Sequence, residues 1–302
     1  MLSKEIIKGC EEVLSRHFGS RIAVNNTSSV GGGCINDAHR IETGAGTFFM
    51  KYNSAHRYPG MFEAEARGLR LLAGAGCLRV PEVIGYDTAG DDALLILEHI
   101  AAAPRAEDFW INFGVGLAKM HKPGTRHGGD EQAAPSFGLD HDNYIGSLPQ
   151  SNRQHESWTD FFMAERLEAQ LKRARDTGKA GADLVSMFDA LSRHLGDFFP
   201  EEPPALLHGD LWSGNYMCGD DGQAVVIDPA VYYGHRYMDL GMSKLFGGFS
   251  AAFYDAYAQT FPLEASWQKS LDIANLYPLM VHVNLFGGSY PGSVKAILRK
   301  FV

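Results

Sequence analysis

The central part of the chain carries polar residues whose types and spacing suit phosphoryl transfer. The sequence HGDLWSGN occupies 208–215, so Asp210 opens a loop after an apolar strand and Asn215 lies five residues further on. The Asp and the Asn of a protein-kinase catalytic loop are separated by the same interval. Asp210 would orient the attacking hydroxyl and accept its proton, and Asn215 would give an oxygen ligand to a metal ion. This motif alone leaves open a helix-capping Asp followed by a turn Asn.

A second carboxylate follows at the end of the next apolar strand. Asp228 comes directly after the AVVI segment at 224–227, thirteen residues beyond Asn215. A hairpin would place it beside the catalytic loop, where a kinase aspartate binds the Mg²⁺ that bridges the β- and γ-phosphates. By itself Asp228 also fits an Asp in a β-turn, but the upstream motif favours the metal site. The sequence therefore predicts ATP and Mg²⁺ as cofactors, with Asp210 as catalytic base and Asn215 and Asp228 as metal ligands.

The N-terminal third offers a cation for the phosphates. Lys51 ends an apolar strand, as does the kinase lysine that contacts the α- and β-phosphates. A flexible ammonium needs a carboxylate to fix its position, and the following helix carries Glu63 and Glu65. These two point about 200° apart on a helix, so only one can face the cleft. We favour Glu65, because Leu69 and Leu72 lie on the same face; Glu63 and a solvated helix face stay open as alternatives.

Two further segments would surround a nucleotide. Glycines let backbone N–H groups approach an anion, so we expect a phosphate-covering turn formed by Gly31, Gly32 and Gly33. The run departs from the kinase glycine pattern, because Asn36 stands at the last glycine position, and a plain hairpin turn is an equal alternative. The end of the apolar segment 93–97 lies where a kinase hinge offers backbone groups to adenine, which points to Leu97, Glu98 and His99.

Cys34 follows this glycine run directly and is a candidate redox switch. Backbone N–H groups that face an anion would also stabilise a thiolate and make the cysteine reactive. Its oxidation would distort the turn and obstruct the phosphates, so mild oxidant would inhibit the protein reversibly. The alternative is a cysteine that only fills space beneath the turn.

The elements that must position these residues can be read from the apolar patterning. The N-terminal part predicts a helix at 4–18, extended segments at 21–30, 35–42 and 46–52, a helix at 60–75 and a buried strand at 93–97. From about 105 the pattern is mainly helical, at 106–121, 157–176, 182–198, 236–246, 250–260 and 266–286, with short strands near 205–208, 216–218 and 224–228. The segment 123–155 is rich in Gly, Pro, His and Asp and predicts a long ordered loop.

This order of elements predicts an α+β fold of the protein-kinase-like, bilobal type. A small antiparallel β-sheet would form the N-lobe, and a large, mainly helical C-lobe would follow. The segment AAAP at 101–104 reads as a linker, so we expect the boundary near 98–105. The predicted domains are a nucleotide-binding lobe at 1–100 and a catalytic and substrate-binding lobe at 101–302.

Composition narrows the functional classes. The chain has 302 residues, 45% hydrophobic and 21% charged, the balance of a globular protein, and a net charge of -9 argues against a general nucleic-acid binder. No apolar segment has the length of a membrane span, and the N-terminus lacks the apolar core of a signal peptide. The four cysteines have no zinc spacing. We therefore expect a cytoplasmic protein with no nucleic-acid or membrane partner, either a monomer or a weak homodimer.

Several motifs along nearly the whole chain resemble the fructosamine-3-kinase (ketosamine kinase) family, which is related to aminoglycoside phosphotransferases and choline kinases. They are GGCIN at 32–36, MFEAE at 61–65, HGDLWSGN at 208–215, DPA at 228–230, YGH at 233–235 and LFGGF at 245–249. The LWSG insert is the specific part, because His-Gly-Asp alone indicates only the phosphotransferase superfamily.

The resemblance implies ATP-dependent phosphorylation of the 3-hydroxyl of a ketosamine, either a small molecule or a glycated protein. The 3-phosphate is unstable and the amine is freed, so the reaction would repair glycated amines. The resemblance also implies the roles given above for Asp210, Asn215, Asp228, Lys51 and Glu65. By position, the candidates for substrate contacts are Trp212, Tyr233, His235, His282 and Asn284.

Some of these residues have structural alternatives. Trp212 would equally pack against the lobe, and His282, on an apolar helix, fits a core histidine unless it faces the cleft. We expect Asp239 to hold the catalytic loop and His121 to pack structurally. Two other functions remain open: a related kinase for an aminoglycoside or choline-like alcohol, and a pseudokinase-like binding protein.

Overall fold

The computed structural model describes residues 2–31, 35–123, 136–265 and 267–302. Gly32, Gly33 and Cys34 lie outside the described residues, and so does most of the predicted phosphate-covering turn. Gly31 is described, and it lines the cavity analysed below. The redox switch at Cys34 therefore stays a prediction.

A five-stranded antiparallel sheet forms the N-terminal part of the structure. The strands are β1 Val24–Ser29, β2 Asp37–Thr43, β3 Gly46–Ser54, β4 Val83–Ala89 and β5 Asp92–Glu98, in the spatial order β1-β2-β3-β5-β4. Strand β3 lies in the middle of the sheet, and Lys51 on it pairs with Ala38 of β2 on one side and Leu95 of β5 on the other. The backbone of the predicted phosphate-binding lysine is therefore held on both sides.

Two helices pack against this sheet. Helix α1, Lys4–Phe18, begins at Ser3, whose hydroxyl accepts a hydrogen bond of 3.1 Å from the amide of Ile6. Its apolar face packs in a core of its own with residues of β2, β3 and β5. Helix α2, Met61–Ala75, packs against β4 and β5 and buries Phe62 and Leu69 in the main core of the molecule. This places Glu65 of α2 next to Lys51.

The remainder of the described chain is mainly helical, with short hairpins. The helices are α3 Phe109–His121, α4 Trp158–Phe161, α5 Ala169–Asp176, α6 Ala182–Ser192, α7 Tyr237–Leu245, α8 Ala251–Thr260, α9 Trp267–Ala274, α10 Leu276–Phe286 and α11 Tyr290–Leu298. A π-helical segment, Phe162–Glu168, joins α4 to α5, and a short 3₁₀ helix spans Leu195–Phe198. The antiparallel pairs are β6 Asn143–Ile145 with β7 Leu148–Gln150, β8 Ala205–Leu207 with β11 Tyr232–Gly234, and β9 Tyr216–Cys218 with β10 Ala224–Val226.

This arrangement confirms the predicted fold class, an antiparallel N-lobe sheet followed by a mainly helical C-lobe. The division at residue 100 stays a prediction, and residues 101–106 carry neither helix nor strand. The main core is continuous across this position, because Phe62, Leu69 and Leu97 belong to the same cluster as residues of the helical part. Within the described ranges, no helix is both long enough and apolar enough to cross a membrane.

Several predicted elements differ from the observed ones. The helix predicted at 266–286 is interrupted at Asn275, because Pro278 in the first turn of α10 has no amide hydrogen to donate to the preceding turn. The loop predicted at 123–155 contains the hairpin β6–β7 in its described part. Strand β4 was not predicted, since Gly85 and Asp87 weaken its pattern; Gly85 is needed because a Cβ there would lie 2.7 Å from Val13 of α1.

A close contact between two helices of the C-lobe gives a test of this packing. Gly114 on α3 lies against α8, and a Cβ at Gly114 would lie 2.2 Å from the carbonyl oxygen of Phe253. We expect Gly114→Ala to lower the free energy of unfolding by about 1–3 kcal/mol, because backbone must move to admit the methyl group. Gly292→Ala on α11 is the control: no atom lies within 4 Å of its Cβ position, so stability should hold or rise. Equal effects in urea denaturation would contradict the packing.

Candidate active site

A cavity of about 420 Å³ lies between the N-lobe sheet and the loops of the C-lobe. Phe49 of β3 and Met217 and Ile227 of the C-lobe give it apolar walls, and Lys51 and Asp228 give it charge at one end. The predicted hinge residues also line it, namely Leu97, Glu98 and His99, together with Gly31 from the described edge of the glycine run. Apolar walls with charged groups at one end fit a flat heterocycle that carries an anionic group.

The catalytic loop fixes its two predicted residues against each other. The side-chain amide of Asn215 donates two hydrogen bonds of 2.8 Å, one to the carboxylate of Asp210 and one to its carbonyl oxygen. Since both partners are acceptors, the Asn215 nitrogen faces Asp210 and its Oδ1 points elsewhere as an acceptor. The Asn215 carbonyl accepts the amide of Ile227 at 3.0 Å, which connects the loop to the segment that carries Asp228.

A buried carboxylate holds the start of this loop. Asp239 on α7 is 1% exposed and accepts the amides of His208 at 2.8 Å and Gly209 at 2.9 Å. It also bonds to the ring of His121, which in turn bonds to the hydroxyl of Tyr257. Burial by itself would raise the pKa of Asp239, but the hydrogen bond and charge of His121 outweigh it and lower that pKa. The carboxylate is therefore ionised and fixes the loop backbone.

Gly209 must be a glycine for steric reasons. Its φ is +82°, and a Cβ there would lie 2.0 Å from the carbonyl oxygen of Ala230. This close approach brings the catalytic loop beside the Asp228–Ala230 segment, and the amide of Ala230 donates to the carbonyl of His208 at 2.9 Å.

Asp228 has an unusual backbone conformation. Among the described residues, only this non-glycine residue has a positive φ, at +54°. That conformation is sterically costly for a side chain with a Cβ and persists where the surroundings impose it, commonly at functional sites. The Asp228 side chain is 48% exposed and lies 2.5 Å from the ammonium of Lys51. It can therefore reach a ligand in the cavity.

Lys51 lies between two carboxylates. Its ammonium is 2.7 Å from Glu65 and 2.5 Å from Asp228, and its side chain is almost fully buried. Burial would lower the pKa of Lys51, but the charges of Asp228 and Glu65 raise it, so the ammonium stays protonated. Of the two glutamates considered from the sequence, Glu65 forms the ion pair, while Glu63 lines a separate surface depression.

Asp210 has the electrostatic character of a base that works near neutral pH. Burial raises the pKa of Asp210 to about 7, although the hydrogen bond from Asn215 opposes this shift, and the charges of Asp228 and Asp239 add to it. A general base is most effective when its pKa lies near the working pH. The arrangement can therefore remove a proton from a hydroxyl held against Asp210.

The hinge is tied to the C-lobe by an arginine that carries no sequence motif. The guanidinium of Arg79 lies 2.9 Å from Glu98 and 2.5 Å from Asp220 in the turn between β9 and β10. Its carbonyl oxygen also accepts the amide of Val226 on β10 at 3.0 Å. Sequence reasoning missed Arg79, because a single arginine two residues before a proline has no spacing signal that distinguishes it from a surface residue.

The donors in the cleft fit a magnesium ion held partly by phosphates. Asp228 offers an exposed carboxylate and Asn215 an amide oxygen that its own hydrogen bonds leave unused. Within the described ranges, no three His, Cys, Asp or Glu residues form a metal cluster. Mg²⁺ is commonly bound by one or two protein oxygens with phosphates and water, so this sparse set is compatible with it.

The predicted substrate residues divide into two groups. Trp212 is partly exposed beside the catalytic loop, and its ring lies 6.1 Å from that of Phe246; Tyr233 is partly buried on β11. His282 is also partly exposed, and its ring is 4.8 Å from Phe246. Trp212 and His282 therefore contact the same aromatic side chain.

His235 and Asn284 do not have the positions predicted for them. His235 is 1% exposed, its ring bonds to the carbonyl of Pro200, and burial lowers its pKa to about 3, so it is a neutral core residue. Asn284 is 9% exposed, and its amide donates to the backbone and side-chain oxygens of Gln170. Both side chains join elements of the lobe, and neither lines the cavity.

The fold and these residues define a kinase of the bilobal type, with a hinge, a buried lysine–glutamate pair and a catalytic loop. A family model described as "Fructosamine kinase" matches residues 6–302 of the chain. The chain belongs to the fructosamine kinase family and is a phosphotransferase with an alcohol group as acceptor.

Named relatives agree with this family over most of their length. A Synechocystis protein named "probable ketoamine kinase" is 37% identical over 287 residues, covering 95% of this chain and 94% of that one. The chloroplastic protein-ribulosamine 3-kinase of Arabidopsis thaliana is also 37% identical, over 94% of this chain and 85% of its own. A crystal structure of a candidate fructosamine-3-kinase from Haemophilus somnus superposes with a TM-score of 0.84 at 29% identity, covering 97% and 96% of the two chains.

Because the pKa of Asp210 is raised, we expect the protein to become more stable when this carboxyl group is replaced by an amide. The folded protein holds this proton more tightly than the unfolded chain, whose carboxyl has a pKa near 3.8. The ionised carboxylate of Asp210 therefore lowers the free energy of unfolding. The full loss is present above about pH 7, and there is none below about pH 4. We expect Asp210→Asn to raise Tm at pH 8 by roughly 2–4 °C or more, and by less at pH 5.

The matched control is Asp255→Asn, which changes an exposed aspartate on α8. It should leave Tm unchanged at both pH values in the same scanning-calorimetry runs. A gain for Asp210→Asn that did not depend on pH would contradict the shifted pKa.

Proposed function

We propose that this protein is an ATP-dependent ketosamine 3-kinase, which phosphorylates the sugar 3-hydroxyl of fructosamines or ribulosamines. Its substrates would be small ketosamines or glycated proteins. Because the 3-phosphate would decompose and free the amine, the reaction would reverse glycation. The observation that carries the proposal is the pairing of Asp210 with Asn215 on one loop, with Trp212 between them in sequence.

The geometry supports the roles that we propose for the residues. Asp210 would accept the proton of the attacking hydroxyl as the sugar oxygen forms its bond to the γ-phosphorus and the bond to ADP breaks. Lys51, fixed by Glu65, would contact the α- and β-phosphates of ATP. The hinge at Leu97–His99 and the glycine run would enclose the adenine and the phosphates.

Asn215 and Asp228 would hold magnesium, which when bound neutralises phosphate charge that develops during transfer. In the structure Asp228 shares its charge with Lys51 at 2.5 Å. Binding of a cation to Asp228 would therefore release part of the attraction that holds the lysine, and would free the ammonium to contact phosphate. The two proposed functions of Asp228, as a metal ligand and as an ion-pair partner of Lys51, are thus coupled.

For the acceptor sugar, Trp212 offers an aromatic face on the loop that carries Asp210, and Tyr233 lies on β11, which pairs with the strand before that loop. Aromatic rings commonly pack against the apolar faces of ligands, with a few polar groups fixing their orientation. A kinase for an aminoglycoside or choline-like alcohol is the alternative proposal. We further propose that the protein acts in the cytoplasm, as a monomer or a weak homodimer.

The substrate class can be tested by measuring phosphorylated product with mass spectrometry. We expect ATP-dependent transfer to a ribulosamine and a fructosamine, and at least about 10²-fold lower kcat/KM for kanamycin and choline. Asp210→Ala should lower kcat by about 10²–10⁴ while ATP binding survives. Product with kanamycin or choline alone would contradict the ketosamine assignment, and ATP turnover unchanged in Asp210→Ala would contradict the catalytic role.

The proposed metal ligands should differ in strength. A carboxylate gives a full negative charge to a hard cation, whereas an amide oxygen gives only a dipole. We expect Asp228→Ala to raise the magnesium concentration for half-maximal activity more than Asn215→Ala does. Magnesium titrations at saturating ATP measure this, and the reverse order would contradict the assigned roles.

A further inference from the structure

A series of aromatic rings leads from the catalytic loop to the protein surface. Trp212, two residues after Asp210, covers Gly214: a Cβ at Gly214 would lie 2.4 Å from the indole ring. Gly214 itself lines the nucleotide cavity. The indole therefore packs on the loop that carries Asp210, at a residue that lines the cavity.

Four further rings continue from this indole. The centroid of Phe246 lies 6.1 Å from Trp212 and 4.8 Å from His282, and His282 lies 5.4 Å from Phe286 and 4.9 Å from Tyr290. We call Phe246, His282, Phe286 and Tyr290 the outer aromatic surface. Three segments supply it, the end of α7, the last turn of α10 and the start of α11.

Core packing accounts in part for Tyr290, which lies against the main core, but it does not account for Phe286. Phe286 is 61% exposed, more than any other large hydrophobic side chain of the described residues. A phenylalanine left this far in water gives little stability to its own fold. An apolar ring held beside an active site in this way is commonly part of a binding surface.

The histidine in the surface is neutral and presents an acceptor. The Nδ1 of His282 donates to the carbonyl of Pro278 at 2.8 Å, and burial lowers the pKa of its ring. With the hydrogen on Nδ1, its Nε2 keeps a lone pair. None of the four side chains carries a positive charge, and ring faces attract cations. The surface therefore suits a cationic group with an apolar substituent.

We propose that the outer aromatic surface binds the substituted amine of the ketosamine, with the ammonium and its carbon chain lying against the rings. This assignment rests on the proposed function. The amine nitrogen of a ketosamine lies only a few bonds from the 3-hydroxyl, so a sugar placed between Asp210 and Trp212 brings its nitrogen to Phe246 and His282. The chain beyond the nitrogen then reaches Phe286. The enzyme would thus favour amines that carry a long apolar chain, as a lysine side chain does.

The test uses two fructosamines that share the sugar and differ in the amine, one made from hexylamine and one from methylamine. We expect Phe286→Ala to raise KM for the hexylamine adduct about fivefold to tenfold, and to change KM for the methylamine adduct less than about twofold. Phe286→Tyr should restore the parent value. Phe286→Leu keeps apolar area and should also hold KM within about twofold of the parent, because the proposal places the carbon chain, and not the ammonium, against Phe286.

Two controls separate this effect from general damage. KM for ATP should be the same in all variants, since Phe286 does not line the nucleotide cavity. Phe18→Ala removes another exposed phenylalanine, at the end of α1 and 42% exposed, and should leave both adducts unaffected.

The outcomes are distinguishable. If the parent enzyme phosphorylates both adducts and Phe286→Ala raises KM for both equally or for neither, the assignment of the outer aromatic surface is wrong while the proposed function stands. If the parent phosphorylates neither adduct, the proposed function fails and this assignment fails with it.

Discussion

The buried carboxylate of Asp239 is the interaction on which the site depends. Two consecutive backbone amides, those of His208 and Gly209, point at one ionised side chain inside the protein. A charge without partners would be very costly at that depth, and here the two amides and His121 supply the partners. Removing any of these partners of Asp239 would disturb the loop, because Asp210 directly follows Gly209. The proposed catalytic base is thus positioned by a buried residue that does not line the cavity.

Charge is arranged around the cleft in alternation. Glu65, Lys51 and Asp228 form a row of negative, positive and negative groups, and Asp210 lies next to it with its proton affinity raised. The lysine partly compensates the charge of these carboxylates. Binding of an anion and a divalent cation would therefore replace one balanced set of charges by another, with little net charge left uncompensated in a partly dry cavity.

Sequence patterns predicted the fold class, and the structure brings the central candidate residues into contact, because kinase chemistry constrains type and spacing along short segments. Asp210 and Asn215 share one loop, and Glu65 could be preferred over Glu63 by helix periodicity alone. The patterns failed where position depends on distant parts of the chain. His235 and Asn284 look suitable for binding in the sequence, yet Pro200 bonds to Nε2 of His235 and Gln170 bonds to Nδ2 of Asn284, and these partners are 35 and 114 residues away. Arg79 and Phe286 were missed because a single residue carries no periodic signal.

The contacts of Arg79 determine where the molecule can bend. Through Arg79, Glu98 of the hinge is joined to Asp220 in the β9–β10 turn. The amide of Ala106, which follows the hinge in the chain, donates to the carbonyl of Gly222 in the same turn. The rear of the cleft is therefore closed by one small turn that both lobes share. If the cleft opens, the two lobes must rotate about this turn. That rotation would stretch the ion pairs of Arg79 with Glu98 and Asp220, which are partly exposed to solvent. Salt screens such ion pairs and so weakens them. Added salt would therefore speed the release of ADP, and with it any turnover that product release limits, while the rate of phosphoryl transfer would not change.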